Sequence, residues 1–445
     1  MLSISMLVFA TLALSAAAFG AWQVRRRHVH IWLGSYFGQA KRRRSLLRNR
    51  SGRPIRVLLC IADHFEPHWS GDGALPRAPE ATADARVEAW TREYPRLLGK
   101  FRDSDGRPPR HTFFYPIDQY EPRHVDALAN LCREGFGEIE IHLHHDHDNA
   151  ENLERTLGQF QRLFSGRHGL LGRWPDGRVA YGFVHGNWAL DNARCDGRWC
   201  GVENELDVLR RTGCYADFTL PSSPDATQTR TINSIYYAVG RPGRRKSHDR
   251  GIEAGAGDVP SNGLMLIQGP LGIWRPASRF MPRIENGCIQ ASQPPSMERL
   301  EHWIRMSVGV ASRPDWAFVK LHTHGATESN QRVLLGSAMA AFHGELARRA
   351  ASDPGFMYHY VSAREMYNLV KAAEAGWTGS VGSALNFHVT APGPDNAADL
   401  QISAAQPSLA VRSATNRPIR TPFGNSSCKA KPSVPCPAMN ALRID

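Results

Sequence analysis

The sequence predicts an α/β fold: a (β/α) barrel, complete or distorted, of seven to eight strands, preceded by a single transmembrane helix. Two observations predict the barrel. Strand-like and helix-like apolar runs alternate from Arg56 to Ala375, which is the pattern of a parallel sheet with crossover helices. Histidines and carboxylates gather at the carboxyl ends of those strand-like runs, where barrels of this kind carry their chemistry. A third observation predicts the membrane helix, because no charged side chain precedes Arg25 and about 20 apolar residues span a bilayer.

In chain order, MLSISMLVFATLALSAAAFGAW opens the sequence and reads as an anchor over residues 1–23. A cleavable signal peptide carries its positive charge ahead of the apolar run, whereas here the charge follows it. Residues 24–55 read as a basic juxtamembrane linker. From Arg25 to Arg56 there are many Lys and Arg and no Asp or Glu, so this stretch supplies nearly all of the formal charge of +12. The remainder is close to neutral, which argues against a nucleic-acid face. With basic residues on the carboxyl side, the positive-inside rule implies a single-pass inner-membrane protein with a cytoplasmic globular domain, its polybasic stretch lying on anionic headgroups. Cleavage after the Ala-rich end would make the domain periplasmic instead.

Residues 56–378 are assigned to the barrel. RVLLCIADH (56–64), HTFFYPI (111–117), EIEIHLH (138–144), VAYGFVHG (179–186), YADFTLP (215–221), GLMLIQGPL (263–271), WAFVKLHTHG (316–325) and FMYHYV (356–361) read as strands, with amphipathic helical runs between most of them. In the third, Ile139, Ile141 and Leu143 alternate with Glu140, His142 and His144, so His142 and His144 share one face. His147, Asp148 and Asn149 begin the next helix, with Asp148 or Asn149 as its cap. Ser362 and Glu365 form a capping box ahead of the last helix, which Gly376 stops. RPGRRKSHDRGIEAGAGDVPSN (241–262) reads as a surface loop, and residues 379–445 as a disordered tail. Eight cysteines in 445 residues are too sparse for a disulfide framework. Cys195, Cys200 and Cys214 also lack the spacing of a paired C-x-x-C zinc site, so the thiols read as free.

The first strand ends in Asp63 and His64, and the third in His142, His144, His145 and Asp146. The fourth ends in His185, Gly186, Asn187 and Trp188, the fifth in Asp217, and the seventh in His322 and His324. Imidazole and carboxylate together suit a divalent metal, with zinc favoured, and H-x-H on a strand turns two imidazoles toward one ion. Such an ion acidifies a water and polarises a carbonyl, and the reaction then needs a base and an acid. Asp63 is placed for the first role and His322 or His324 for the second.

IADHFEP (61–67), EIHLHHD (140–146) and FVKLHTHG (318–325) resemble three motifs of the polysaccharide deacetylases, carbohydrate esterase family four, within the glycoside hydrolase/deacetylase barrel superfamily. ADFTLPS with Asp217 resembles a fourth motif, and HGNWALDNAR with Arg194 stands where the family's arginine motif is expected. The resemblance covers residues 56–375. It departs at two ligand positions: His64 stands in place of the second acidic residue, and Asp146 in place of the second histidine. The resemblance implies a metal held by His64, His142 and one of His144, His145 or Asp146, with Asp63 as base. It implies an acetylated glycan or lipid-linked sugar as substrate, with His185, Asn187, Trp188 and Asp217 on the substrate side. Trp69, Trp188 and Tyr120 are candidates for stacking on a sugar ring. Two other classes fit the same residues. An amidohydrolase- or phosphoesterase-like site could use the pairs His142/His144 and His322/His324; alternatively, the chain is an inactive, membrane-anchored barrel that binds a glycan.

Overall fold

The computed structural model describes residues 4–50, 52–70, 77–255, 259–278 and 280–392. Its elements follow the hydrophobic periods. In chain order they are α1 (Ile4–Arg26), α2 (Leu33–Gly38), α3 (Ala40–Arg50), β1 (Ile55–His64), α4 (Glu80–Leu98), β2 (His111–Pro116), α5 (Pro122–Leu131), β3 (Gly137–Leu143), α6 (Ala150–Gln161), β4 (Gly172–Arg173), β5 (Val179–His185) and α7 (Glu205–Arg211). There follow β6 (Cys214–Asp217), β7 (Ile235–Val239), β8 (Ile252–Glu253), β9 (Gly263–Ile267), β10 (Gly272–Trp274), β11 (Arg283–Glu285), α8 (Met297–Arg305), β12 (Trp316–Thr323), α9 (Glu328–Leu334), α10 (Ser337–Ser352), β13 (Phe356–Tyr360) and α11 (Ala363–Glu374).

Eleven strands form one sheet in the order β12-β1-β2-β3-β5-β6-β9-β7-β8, with β13 joined to β1 and β4 to β5. From β12 to β9 every neighbouring pair is parallel. The sheet is open, and the expected barrel is corrected. Closure would bring β9 against β12, but the far edge of β9 is taken by antiparallel β7, from Ile235 opposite Ile267 to Val239 opposite Gly263. Beside β12 lies the segment after β11 instead: Ile289 N–H donates to His322 O at 2.8 Å, and His322 N–H to Gly287 O at 3.1 Å. β7 falls between two expected strands in a stretch where alternation places none. β8 lies inside the stretch 241–262 expected to be loop, pairing Tyr236 with Glu253 and Tyr237 with Ile252.

Both faces of β1 are covered, as a parallel sheet requires. Val57, Leu59 and Ile61 pack with Val87, Trp90 and Leu98 of α4, and Leu58, Cys60 and Ala62 pack with the cluster that holds Met366, Leu369 and Val370 of α11. Period two therefore divides β1 between two cores. The same parity holds on β3, whose Ile139, Ile141 and Leu143 join the α4 side, and on β12, whose Val319 and Leu321 do. His64, His142 and His322 consequently project to the opposite face. α11 starts on the expected capping box of Ser362 and Glu365, and Asn149 caps α6 by accepting from Asn152 N–H at 3.0 Å.

Among the described residues no helix is long and apolar enough to cross a membrane. This corrects the transmembrane anchor and the single-pass inner-membrane placement and orientation that rested on it. The described part of α1 dilutes Phe9, Leu12, Leu14 and Phe19 with Ala, Ser, Thr and Gly, and its last turns carry Gln23, Arg25 and Arg26. The basic stretch that follows is docked on the sheet domain. Trp32 is fully buried among Val29, Ile232 and Leu271, and its Nε1–H donates to Ser223 Oγ at 3.1 Å. Gln39 Nε2 donates to Ile232 O at 2.8 Å, and Arg42 pairs with Glu253 at 3.2 Å. At the other end Val381, Ala384 and Val389 are buried, and Thr390 bridges Arg173. The rest of the expected tail, from residue 393, lies outside the described residues.

Candidate functional site

β1, β3 and β12 all end on one side of the sheet, and a carboxylate just beyond β1 collects the imidazoles that arrive there. The carboxylate is Glu66, buried and two residues beyond His64. Its Oε1 lies 3.0 Å from His144 Nε2 and 3.7 Å from His142 Nε2, and its Oε2 lies 2.9 Å from His324 Nδ1. His64 completes the cluster, its ring centroid 4.9 Å from that of His142 and 4.8 Å from that of His324. Trp69 lies over His324 at 4.8 Å, and Trp188 stands 6.2 Å from His64 and 6.1 Å from His324. His144 and His324 are partly exposed, so the group opens to solvent on one side.

His142 is the informative member. Its Nδ1–H donates to Val184 O at 2.9 Å, which leaves Nε2 with a lone pair. That nitrogen is buried and has no hydrogen-bond partner, yet it faces the Glu66 carboxylate. Two electron-pair donors facing each other in a buried place fit a cation between them. The ligand atoms of Glu66, His142 and His144 all lie within 4.8 Å of one another.

The charges follow from this crowding. Burial and the neighbouring imidazoles of His324 and His142 lower the His64 pKa well below its ordinary value. Burial and His144 lower that of His142. Burial would raise Glu66, but His142, His144 and His324 hold it well below the usual carboxylate range. For His144, burial is outweighed by Asp118 and Glu66, which push it up to about 10.

The other expected residues are distributed differently. Asp63 is fully buried on the α4 face, opposite His64. Its Oδ1 accepts from Gly325 N–H at 2.6 Å and its Oδ2 is 2.8 Å from His111 Nε2. A Cβ on residue 325 would lie 2.1 Å from Asp63 Oδ2, so this close approach requires glycine. Asp63 thus anchors the turn that presents His324, and lies on the opposite face of β1 from the imidazoles gathered at Glu66. Asp146 Oδ1 accepts from Trp199 N–H at 2.6 Å, away from Glu66. Burial pushes Asp217 up to about 7, and its Oδ2 accepts from Thr219 Oγ1 at 2.7 Å. His322 is buried with Nδ1 unpartnered. Tyr120 hydrogen-bonds His168 Nε2 at 2.8 Å and packs near Phe164. Asn187 and Trp188 both adopt left-handed backbone, at φ 54 for each.

A second group lies beside the first. His145 follows His144 but turns to the other side, and His185 shares the parity of Phe183 in the α4-side core. His145 Nε2 is 2.8 Å from His185 Nε2 and 3.2 Å from Glu205 Oε1. Cys200 Sγ–H donates to Glu205 Oε2 at 3.4 Å. The ligand atoms of these four residues also lie within 4.8 Å of one another, and His185, Cys200 and Glu205 are buried. Burial opposes charge on His145, but Asp148, Cys200 and Glu205 push it up to about 12, while burial lowers His185 to about 4.

Pattern does not single out Glu66 or Glu205, and it weighs Cys200 as a zinc ligand only with Cys195 and Cys214, where the spacing argues against it. Glu66 had a local signal, since it repeats the parity of His64 two residues on. Cys200, in a loop, and Glu205, the first residue of α7, meet His145 and His185 only through the fold. Among the described residues there are therefore two sets of side chains compatible with a divalent metal, and no family model and no curated protein matches the chain.

Proposed function

We propose that the protein is a metal-dependent hydrolase, with zinc held by Glu66, His142 and His144, that removes acetyl groups from an acetylated sugar or glycan. The observation that carries this is the buried, unpartnered Nε2 of His142 facing the Glu66 carboxylate at 3.7 Å. Two imidazoles and one carboxylate make a donor set suited to zinc that leaves a coordination position open.

An ion bound there supplies an acidified water and a polarised acyl oxygen. The chain's own residues do the rest. The Val184 carbonyl fixes the tautomer of His142, and Asp118 holds the Nδ1 side of His144 at 3.4 Å, so both rings present Nε2 inward. His64, kept neutral by burial and by His324 and His142, adds an uncharged imidazole beside these rings. His324 has Nδ1 committed to Glu66, which leaves Nε2 as the nitrogen that exchanges a proton with a leaving group. Trp69 and Trp188 flank these rings and supply flat apolar walls of the kind on which sugar rings stack. The sequence resemblance to polysaccharide deacetylases supports the choice of acetyl transfer to water over other hydrolytic reactions.

The test is acetate release from acetylated chitooligosaccharides by the full chain. Activity requires added zinc after chelation, and it falls at least about 100-fold in Glu66→Gln and His142→Ala, since even groups behind the ligands are worth about 10- to 100-fold. Undiminished acetate release in both variants sinks this site.

A further inference from the structure

We infer that His145, His185, Cys200 and Glu205 form a second metal site, closed to solvent, that takes zinc in a structural role. Four donors reach one point from separate places: the end of β3, the end of β5, and the loop before α7 together with the first residue of α7. His185 Nδ1–H donates to Gly186 O at 2.5 Å, so its Nε2 carries a lone pair. That lone pair meets His145 Nε2 at 2.8 Å, and Glu205 Oε1 stands 3.4 Å from it and 3.2 Å from His145 Nε2. His145 Nε2–H is shared between those two acceptors and Cys200 Sγ–H donates to Glu205 Oε2 at 3.4 Å, so the four side chains converge through two protons that one tetrahedral cation would replace.

Three of the four donors are also backed from behind, as metal ligands are. Asp148 Oδ2 lies 3.0 Å from His145 Nδ1, the Gly186 carbonyl holds His185, and Asp191 N–H donates to Glu205 Oε2 at 2.6 Å. A thiolate with two imidazoles selects zinc over magnesium or calcium. Loading takes the Cys200 thiol to thiolate, and the protons displaced from Cys200 and from between the two imidazoles pass to solvent. Four protein donors leave no place for a water, which distinguishes this site from the open one around Glu66.

The loop between β5 and Cys200 explains what such an ion does. It contains only short turns, and Asn187, Trp188, Asp191, Asn192 and Trp199 all adopt left-handed backbone, with φ between 51 and 65. Residues held in that region persist where surrounding structure fixes them. An ion binding His185 at one end of the loop and Cys200 and Glu205 at the other cross-links it.

The two sites separate by spectroscopy, because only the closed one contains sulfur. Full-length protein is stripped and reloaded with cobalt(II), and the sulfur-to-metal charge-transfer band and the ion count per chain are read together. Expected are two ions with the band in the wild type, one ion with the band in His142→Ala, and one ion without the band in Cys200→Ser. Amide exchange across 186–201 also accelerates on chelation. One ion with the band in the wild type supports the closed site and sinks the open site instead. A folded, cobalt-loaded wild type lacking the band overturns the closed site whatever the variants do, as does a band retained in Cys200→Ser.

Discussion

Asp63 and Glu66 show how far a carboxylate's neighbours decide its work. Both lie at the end of β1 and both are buried, but Asp63 accepts from Gly325 N–H and meets His111, while Glu66 meets imidazoles. Asp63→Asn places an N–H group where one of two committed oxygens stood. It is expected to cost about 1–3 kcal/mol in chemical denaturation, and to lower acetate release through His324 while the ion count stays at the wild-type value. Loss of an ion in Asp63→Asn would place this carboxylate at the metal after all. At this scale His142 and His144 were legible, because a two-residue period fixes which side chains share a face. The role of Asp63 was not, since its partners lie 48 and 262 residues away along the chain.

At the scale of elements, local chemistry was the better guide. Each of the eight expected strand runs contains a strand, and the capping box of α11 is present with Ser362 accepting from Glu365 N–H at 3.2 Å and Glu365 Oε2 accepting from Ser362 N–H at 2.8 Å. Ser362→Ala should cost about 1 kcal/mol in denaturant titration, the usual worth of such a cap. An unchanged midpoint would mean that packing of α11 against β1 sustains the helix without it. β7 and β8 escaped notice for a physical reason: they pair antiparallel, so no crossover helix separates them from β9, and alternation of strand and helix cannot reveal them. The uncharged start of the chain forms a helix, but helix formation and membrane crossing are different properties, and the described helix fails the second.

Over the whole molecule, the place where a barrel would close is held by an ion pair. Arg299 of α8 meets Glu285 of β11 at 2.7 Å and 3.0 Å, and it also donates to the carbonyls of Cys288, Gln293 and Pro294. Burial would raise Glu285, but Arg299 and Trp303 hold it below its ordinary 4.5. A carboxyl lowered by folding contributes stability that is present above its unfolded value and lost as pH falls through its folded value. The chain should therefore lose stability on acidification below about pH 4.5, and part of that loss should be missing in Glu285→Gln. That variant leaves a buried guanidinium unpaired and should be less stable at neutral pH by about 3–5 kcal/mol. An acid limb identical in both proteins would assign the effect to other carboxylates.

By itself the sequence determined the alternation of strands and helices, the shared face of His142 and His144, and the concentration at strand ends of side chains able to ligate a metal, because each follows from periods of a few residues. Only the tertiary structure decided that the sheet stays open, that Glu66 is the carboxylate the imidazoles meet, and that His145 leaves its neighbours to join His185, Cys200 and Glu205. These are contacts between distant segments, fixed by which edge pairs with which and which face is covered, and no local pattern encodes them.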